Sequence, residues 1–300
     1  MNLELFVQEL DYPECPRWHD GSLWLSEMWA HAVVRLDAAG GREVVHQFSR
    51  YEQPGGLGWL PGNRLVVVGM ESRVLHRFDE DQFDFDHDHQ NHAGPATHAD
   101  LGSVSPWALN DMVIGASGTA YVSQVGFDLA GGPSRPGPTP LIGVGPDGAV
   151  SVVAEGLVVP NGMALSGDGS TLVVAETFAG RLTSFAVRDD GSLGDRRVLS
   201  QLPPAVDHRY ARPDGICLDE QGAVWVADWR GCQVLRVLAD GTVANQIPLP
   251  AHALAVVLGG PDRRTLYVCT SRQMVRAGPD AAPVGAVFTV DVVVPGAGEP

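Results

Sequence analysis

Three five-residue segments of this chain echo one another, and each opens on a side chain that carries an oxygen donor. They are Asn110-Asp111-Met112-Val113-Ile114, Asn161-Gly162-Met163-Ala164-Leu165 and Asp214-Gly215-Ile216-Cys217-Leu218. A glycine follows eight residues after each first member (Gly118, Gly169, Gly222), and then an apolar run of strand length. The first members lie 51 and 53 positions apart, a spacing that belongs to repeat architectures.

Extending the comparison gives six units, beginning near Glu14, Gly55, Asn110, Asn161, Asp214 and Leu254. Each holds short runs rich in Val, Leu, Tyr and Trp, such as Leu65-Val66-Val67-Val68 and Val224-Trp225-Val226, separated by Asp-Gly or Gly-Asn turns. The 36 glycines and 22 prolines are spread between these runs as punctuation. No segment sustains a 3.6-residue stripe, so little helix is expected. Four-stranded units repeated about every fifty residues predict an all-β, six-bladed β-propeller, a single domain over residues 1–300. The run Leu3-Glu4-Leu5-Phe6-Val7 has strand character without a repeat of its own, and is expected to complete the last blade.

Two stretches break the plan. Asp79 to His98 is rich in Asp and His (Asp84, Asp86, His87, Asp88, His89, His92), but its spacing matches no standard ligand set. It reads as a solvated loop rather than a second metal site. Asp128 to Pro140 is rich in Gly and Pro and reads as an extended loop.

The net charge of −16 argues against nucleic acid or an anionic membrane as partner, since phosphates need cations to neutralise them. A small-molecule substrate is expected instead. Four scattered cysteines without CxxC spacing fit a reducing compartment. The N-terminus lacks a signal-peptide layout and no apolar run reaches membrane-spanning length, so a cytoplasmic location is expected.

In a propeller the innermost strands line a central channel. Glu14, Asn110, Asn161 and Asp214 start such strands and converge on one axis, whereas the positions near Gly55 and Ala255 carry no donor. Two carboxylates and two amides suit a hard divalent cation: Ca²⁺ best, with Mg²⁺, Mn²⁺ or Zn²⁺ as alternatives. The empty positions would leave the cation open toward substrate. Asn161-Gly162 or Asp214-Gly215 alone would read as an ordinary turn. Their equivalence across repeats, with Glu14 and Asn110 joining without a following glycine, favours a central metal site.

Glu14-Cys15-Pro16-Arg17-Trp18, Asn110-Asp111, Pro160-Asn161-Gly162-Met163 and Pro213-Asp214-Gly215-Ile216, in this order over nearly the whole chain, resemble the gluconolactonase/regucalcin (senescence marker protein) family. The resemblance implies one catalytic divalent metal held by Glu14, Asn161 and Asp214. It implies Asp214 as general base and Asn110 as a substrate contact, hence a metal-dependent lactonase. One position departs from it. Sugar-lactone hydrolases of the family often carry Arg two residues before the Asn-Asp pair, where this chain has Ala108. With Trp107, that makes a less polar wall, which points away from simple aldonolactones.

Further substrate contacts are expected from His208 and Tyr210 in the loop Pro203 to Arg212, placed to rim the channel mouth. Trp29, Phe127, Phe178 and Trp229 are expected to follow inner strands closely enough to wall the pocket. Two other classes stay open: other chemistry at the same metal, such as phosphotriester hydrolysis, and a non-enzymatic Ca²⁺-binding propeller.

Overall fold

The computed structural model describes residues 2–79, 94–128, 136–204, 210–278 and 281–297. Among these residues twenty-four strands make six antiparallel sheets of four strands each. The innermost strands, numbered here as blades 1 to 6, are Pro13–His19, Pro54–Leu60, Leu109–Ile114, Pro160–Leu165, Pro213–Leu218 and His252–Gly259. Each packs against the next, and the sixth against the first, so the sheets form a closed six-bladed ring as the repeats predict.

Five blades use four consecutive strands. In blade 6 the outermost strand is Leu3–Leu10, paired antiparallel with Gly285–Asp291 near the other end of the chain. The N-terminal run therefore completes the last blade, as expected. A second tie follows it. Gly296 N donates to Arg263 O and Ala297 N to Leu218 O, which carries the tail across from blade 6 to the inner strand of blade 5.

Burial explains the pattern of the repeats. Second strands such as Arg64–Gly69 and Thr171–Glu176 are buried along nearly their whole length, because neighbouring blades cover both faces. They therefore read as continuous apolar runs rather than alternating ones. Outer strands such as Leu193–Gln201 are largely exposed and read as polar. The repeated glycines Gly118, Gly169 and Gly222 have φ of +82°, +70° and +72°, a turn geometry that other residues adopt only at a cost.

Both irregular stretches are shorter as loops than the sequence suggested. The fourth strand of blade 2 is Ala96–Asp100, so His98 lies on a strand; Asp84, Asp86, His87, Asp88, His89 and His92 fall outside the described residues. Pro138 to Pro140 likewise begin the third strand of blade 3, Pro138–Val144. Sheet completion overrode the loop-like composition at both edges. Cys15, Cys217, Cys232 and Cys269 are all free thiols. Among the described residues no helix is long and apolar enough to cross a membrane.

Candidate functional site

All six inner strands break register at the same place. The pairing to the second strand slips between Glu14 and Arg17, Pro54 and Leu57, Leu109 and Met112, Pro160 and Met163, Pro213 and Ile216, and Ala253 and Ala255. Such a bulge bends the strand and re-aims a side chain. Asn110, Asn161 and Asp214 sit inside the bulge and Glu14 at its edge.

The glycines beside them are not turn residues. A Cβ on Gly162 would lie 2.6 Å from Asp214 O and from Gly215 Cα. On Gly56 it would overlap the backbone of Met112, and on Gly215 the Cβ of Ala255. Glycine is required where successive inner strands touch. This also corrects the expected opening near Gly55 and Ala255. The backbone of Asn110 closes against Gly55, Ala255 closes against Gly215, and Leu254 is fully buried in the core between blades 6 and 1. The absent side chains bring strands together instead of leaving a gap.

Glu14 and Asp214 are 8% and 5% exposed, and Asn110 and Asn161 half-buried. Burial pushes the Glu14 carboxyl up to about 8, against the Cys15 N–H bond, with Asp111 adding to the rise and Arg17 opposing it. Burial also raises Asp214 well above the carboxylate range, helped by the charges of Glu14 and Asp111 and opposed by the Asn161 side chain. Tyr12, stacked on Trp29 with centroids 4.3 Å apart, is raised by burial and then by Glu14 and Asp214. The two acids thus share one desolvated space.

The nearest guanidinium is already committed. Arg17 Nη2 lies 2.8 Å from Asp111 Oδ1, Arg17 Nε donates to Leu57 O at 2.9 Å, and Nη2 also reaches Met112 O. One side chain of blade 1 therefore holds the inner strands of blades 2 and 3. Asp111 anchors this contact, and its partner at a separation of 94 residues carried no sequence signal. Hydroxyls make similar ties. Ser26 Oγ donates to Gly55 O at 2.7 Å, and Thr177 Oγ1 to Pro213 O at 2.7 Å. With its proton given to Pro213, the Thr177 oxygen accepts from Asn161 Nδ2 at 3.3 Å, which turns Asn161 Oδ1 away from it.

Acids at the ends of second strands fix where inner strands begin. Glu176 accepts from Val158 N at 2.9 Å, just before Pro160; Asp228 accepts from Arg212 N at 2.8 Å, just before Pro213. Their bonds make them structural.

Around the channel mouth, Trp29, Phe127, Phe178 and Trp229 follow second strands and not inner ones. Antiparallel pairing still puts them at the end where inner strands start. Phe127 and Phe178 meet edge to face at 6.0 Å, and Arg212 Cζ lies 4.9 Å over the Phe178 ring. Ala108, Phe127 and Met28 pack onto the apolar core of blades 2 and 3, while Trp107 is 36% exposed. Tyr210 is 62% exposed and packs against Gly180; His208 lies outside the described residues.

Residues 12–272 match the model of the SMP-30/gluconolactonase/LRE-like region. The chain belongs to this family. It is 29% identical over 300 residues to the 6-deoxy-6-sulfogluconolactonase of Pseudomonas putida, covering 96% of this chain and 93% of the relative. It is 30% identical over 202 residues to the pentonolactonase of Haloferax volcanii, covering 64% of this chain and 65% of that one. Among solved structures, a calcium-binding regucalcin from Agrobacterium tumefaciens superposes with a TM-score of 0.79 at 20% identity, covering 100% of this chain and 96% of the other. A gluconolactonase from Xanthomonas campestris gives 0.73 at 23% identity, covering 98% and 89%.

Membership of the SMP-30/gluconolactonase/LRE-like family raises the question of a metal. Among the described residues no three or more His, Cys, Asp or Glu side chains are grouped to hold one. The axial set is of another kind, two carboxylates and an amide. Its chemistry fits a hard divalent cation: oxygen donors only, and two buried acids that no side-chain cation neutralises, since Arg17 serves Asp111.

Proposed function

We propose that this protein hydrolyses a lactone at the axial site, with Glu14, Asn161 and Asp214 holding one divalent cation, Ca²⁺ by donor type. The observation that carries the reading is the pair of buried acids, Glu14 and Asp214, aimed at one axis by equivalent bulges. Lactonase relatives support it: the match that spans nearly the whole chain is named for a sulfonated gluconolactone, and another for pentonolactones.

A divalent cation, when bound, supplies Lewis acidity toward a carbonyl oxygen and toward water. The chain's own residues do the rest. Asp214, the carboxylate placed beside the substrate position, takes a proton from water as its oxygen adds to the lactone carbonyl carbon. The ring C–O bond then breaks, and the same proton returns to the departing ring oxygen, giving the hydroxy acid. Glu14 stays a ligand, because its Oε2 is already engaged by Cys15 N at 3.1 Å. Asn110, half-buried at the mouth end of its strand, offers an amide to the bound lactone.

The test is turnover of a lactone panel by chelator-treated protein with Ca²⁺, Mn²⁺, Mg²⁺ or Zn²⁺ restored. Metal-dependent hydrolysis that disappears in Asp214→Asn is expected. Tight cation binding with no turnover of any lactone would leave a binding propeller, and turnover of phosphotriesters alone would leave a different hydrolase.

A further inference from the structure

Arg212 stands out at the channel mouth of an otherwise acidic protein. It is half-buried immediately before the inner strand of blade 5, two residues from Asp214. Its guanidinium reaches over to blade 4, where it lies 4.9 Å above the Phe178 ring and Nη1 approaches Thr177 O at 3.4 Å. Thr177 is the residue whose hydroxyl holds Asn161. Arg212 is therefore one residue removed from the axial donors, on the side facing the mouth.

Among the described residues no carboxylate forms an ion pair with Arg212. The nearby Asp228 acts on it only through space, since Oδ1 accepts the Arg212 backbone N–H and Oδ2 accepts from Gln233 Nε2 at 2.8 Å. Asp111 belongs to Arg17. Arg230, in the turn that joins Arg212 through the Trp229 N to Arg212 O bond, adds a second positive charge within electrostatic reach. Holding a guanidinium half out of water, with no ion-pair partner among the described residues, is costly unless an anion completes the arrangement. A guanidinium seated over an aromatic ring keeps its N–H fork for carboxylate, sulfonate or phosphate oxygens.

We propose that Arg212 is a specificity residue that receives an anionic substituent of the lactone, so that the preferred substrates are lactones bearing a carboxylate, sulfonate or phosphate group away from the ring carbonyl. This rests on the lactonase reading of the same site. It accounts for the apolar side of the mouth as well. Where Ala108 stands in place of the arginine common in sugar-lactone hydrolases, the wall is built from Ala108, Phe127 and Met28, and the polar recognition moves to blade 5.

The experiment compares matched lactones of equal ring size with and without a sulfonate, in wild type, Arg212→Gln and Arg212→Lys. Wild type is expected to favour the sulfonated lactone in kcat/KM by tenfold or more, with that preference weakening as salt rises. The ratio of anionic to neutral kcat/KM should collapse in Arg212→Gln and recover in part in Arg212→Lys, while thermal melting confirms that each variant folds. Equal turnover of both lactones by wild type would overturn the inference and leave the lactonase reading standing. If neither lactone turns over, the lactonase reading fails, and calorimetric titration with the corresponding cyclic ethers decides the inference. Tighter binding of the sulfonated ether, lost in Arg212→Gln, supports it; equal binding overturns it.

Discussion

Arg17 and Asp111, 94 residues apart in sequence, form a 2.8 Å ion pair in which both side chains are 5% exposed. Because Arg17 also donates to Leu57 and Met112 carbonyls, the pair joins three blades at the level of the axial acids. Breaking one partner leaves an uncompensated buried charge. Arg17→Met and Asp111→Leu singly should each cost about 3–5 kcal/mol, and the double variant should recover much of that loss. Denaturant melts of the four proteins check this; additive losses would show that the pair is not a unit.

Stability without metal should depend on pH through Glu14. Its pKa is about 8 in the fold against an ordinary carboxylate value of 4.5 when unfolded. Between these values the folded state binds a proton that the unfolded chain has released, so folding stability falls as pH rises. The contribution is fully present below about 4.5 and is lost as pH passes through about 8. Melting of chelator-treated protein across this range should show the decline, and Glu14→Gln should lessen it, leaving the part that Asp214, raised in the same direction, contributes. A saturating divalent cation at about one hundred times its Kd should add about 2.7 kcal/mol in wild type and much less in Glu14→Gln.

Thr177 tests whether the hydroxyl tie matters to the site. Thr177→Val keeps the shape but leaves Pro213 O without its donor and frees Asn161 to rotate. Metal affinity should fall by about tenfold to a hundredfold, the usual effect of losing an orienting partner behind a ligand. Calorimetric titration gives the answer directly, and unchanged affinity would remove Thr177 from the account.

Two glycines separate the two roles this residue plays in the chain. Gly56→Ala places a Cβ into the Met112 backbone, where neither strand can yield without moving a blade, and should cost more than about 3 kcal/mol. Gly21→Ala, at φ +73° with nothing within 4 Å, should cost only about 1 kcal/mol for the backbone conformation. Similar losses at both sites would contradict the close approach of inner strands.

Much of this was readable from local pattern. The six inner-strand starts, the turn glycines and the closing role of Leu3–Leu10 follow from strand-length apolar runs and their spacing, which burial between blades imposes. Glu14, Asn161 and Asp214 stood out as candidates because each occupies one position of the repeat. What the repeat could not reveal depends on contacts between blades. Gly162 and Gly215 read as turns because nothing local shows that the next strand presses on them. Arg17 gave no sign of its partner in blade 3. The aromatic residues at the mouth were expected to follow inner strands, whereas they follow second strands, because sequence distance does not distinguish the two ends of a hairpin. Tyr210, expected at the mouth by its nearness to Asp214, has its side chain largely in solvent.

The bulge repeated in every inner strand has an evolutionary consequence. Because the backbone itself supplies the aim, the sockets of Glu14, Asn110, Asn161 and Asp214 are built alike, and their chemistry is decided by which side chain each one holds. The positions of Leu254 and Gly55 are closed to this, because Leu254 packs into the core and Gly55 is sealed by its neighbour's backbone. Such a scaffold can relocate ligands and change reactions one codon at a time, without ever having to invent a new loop.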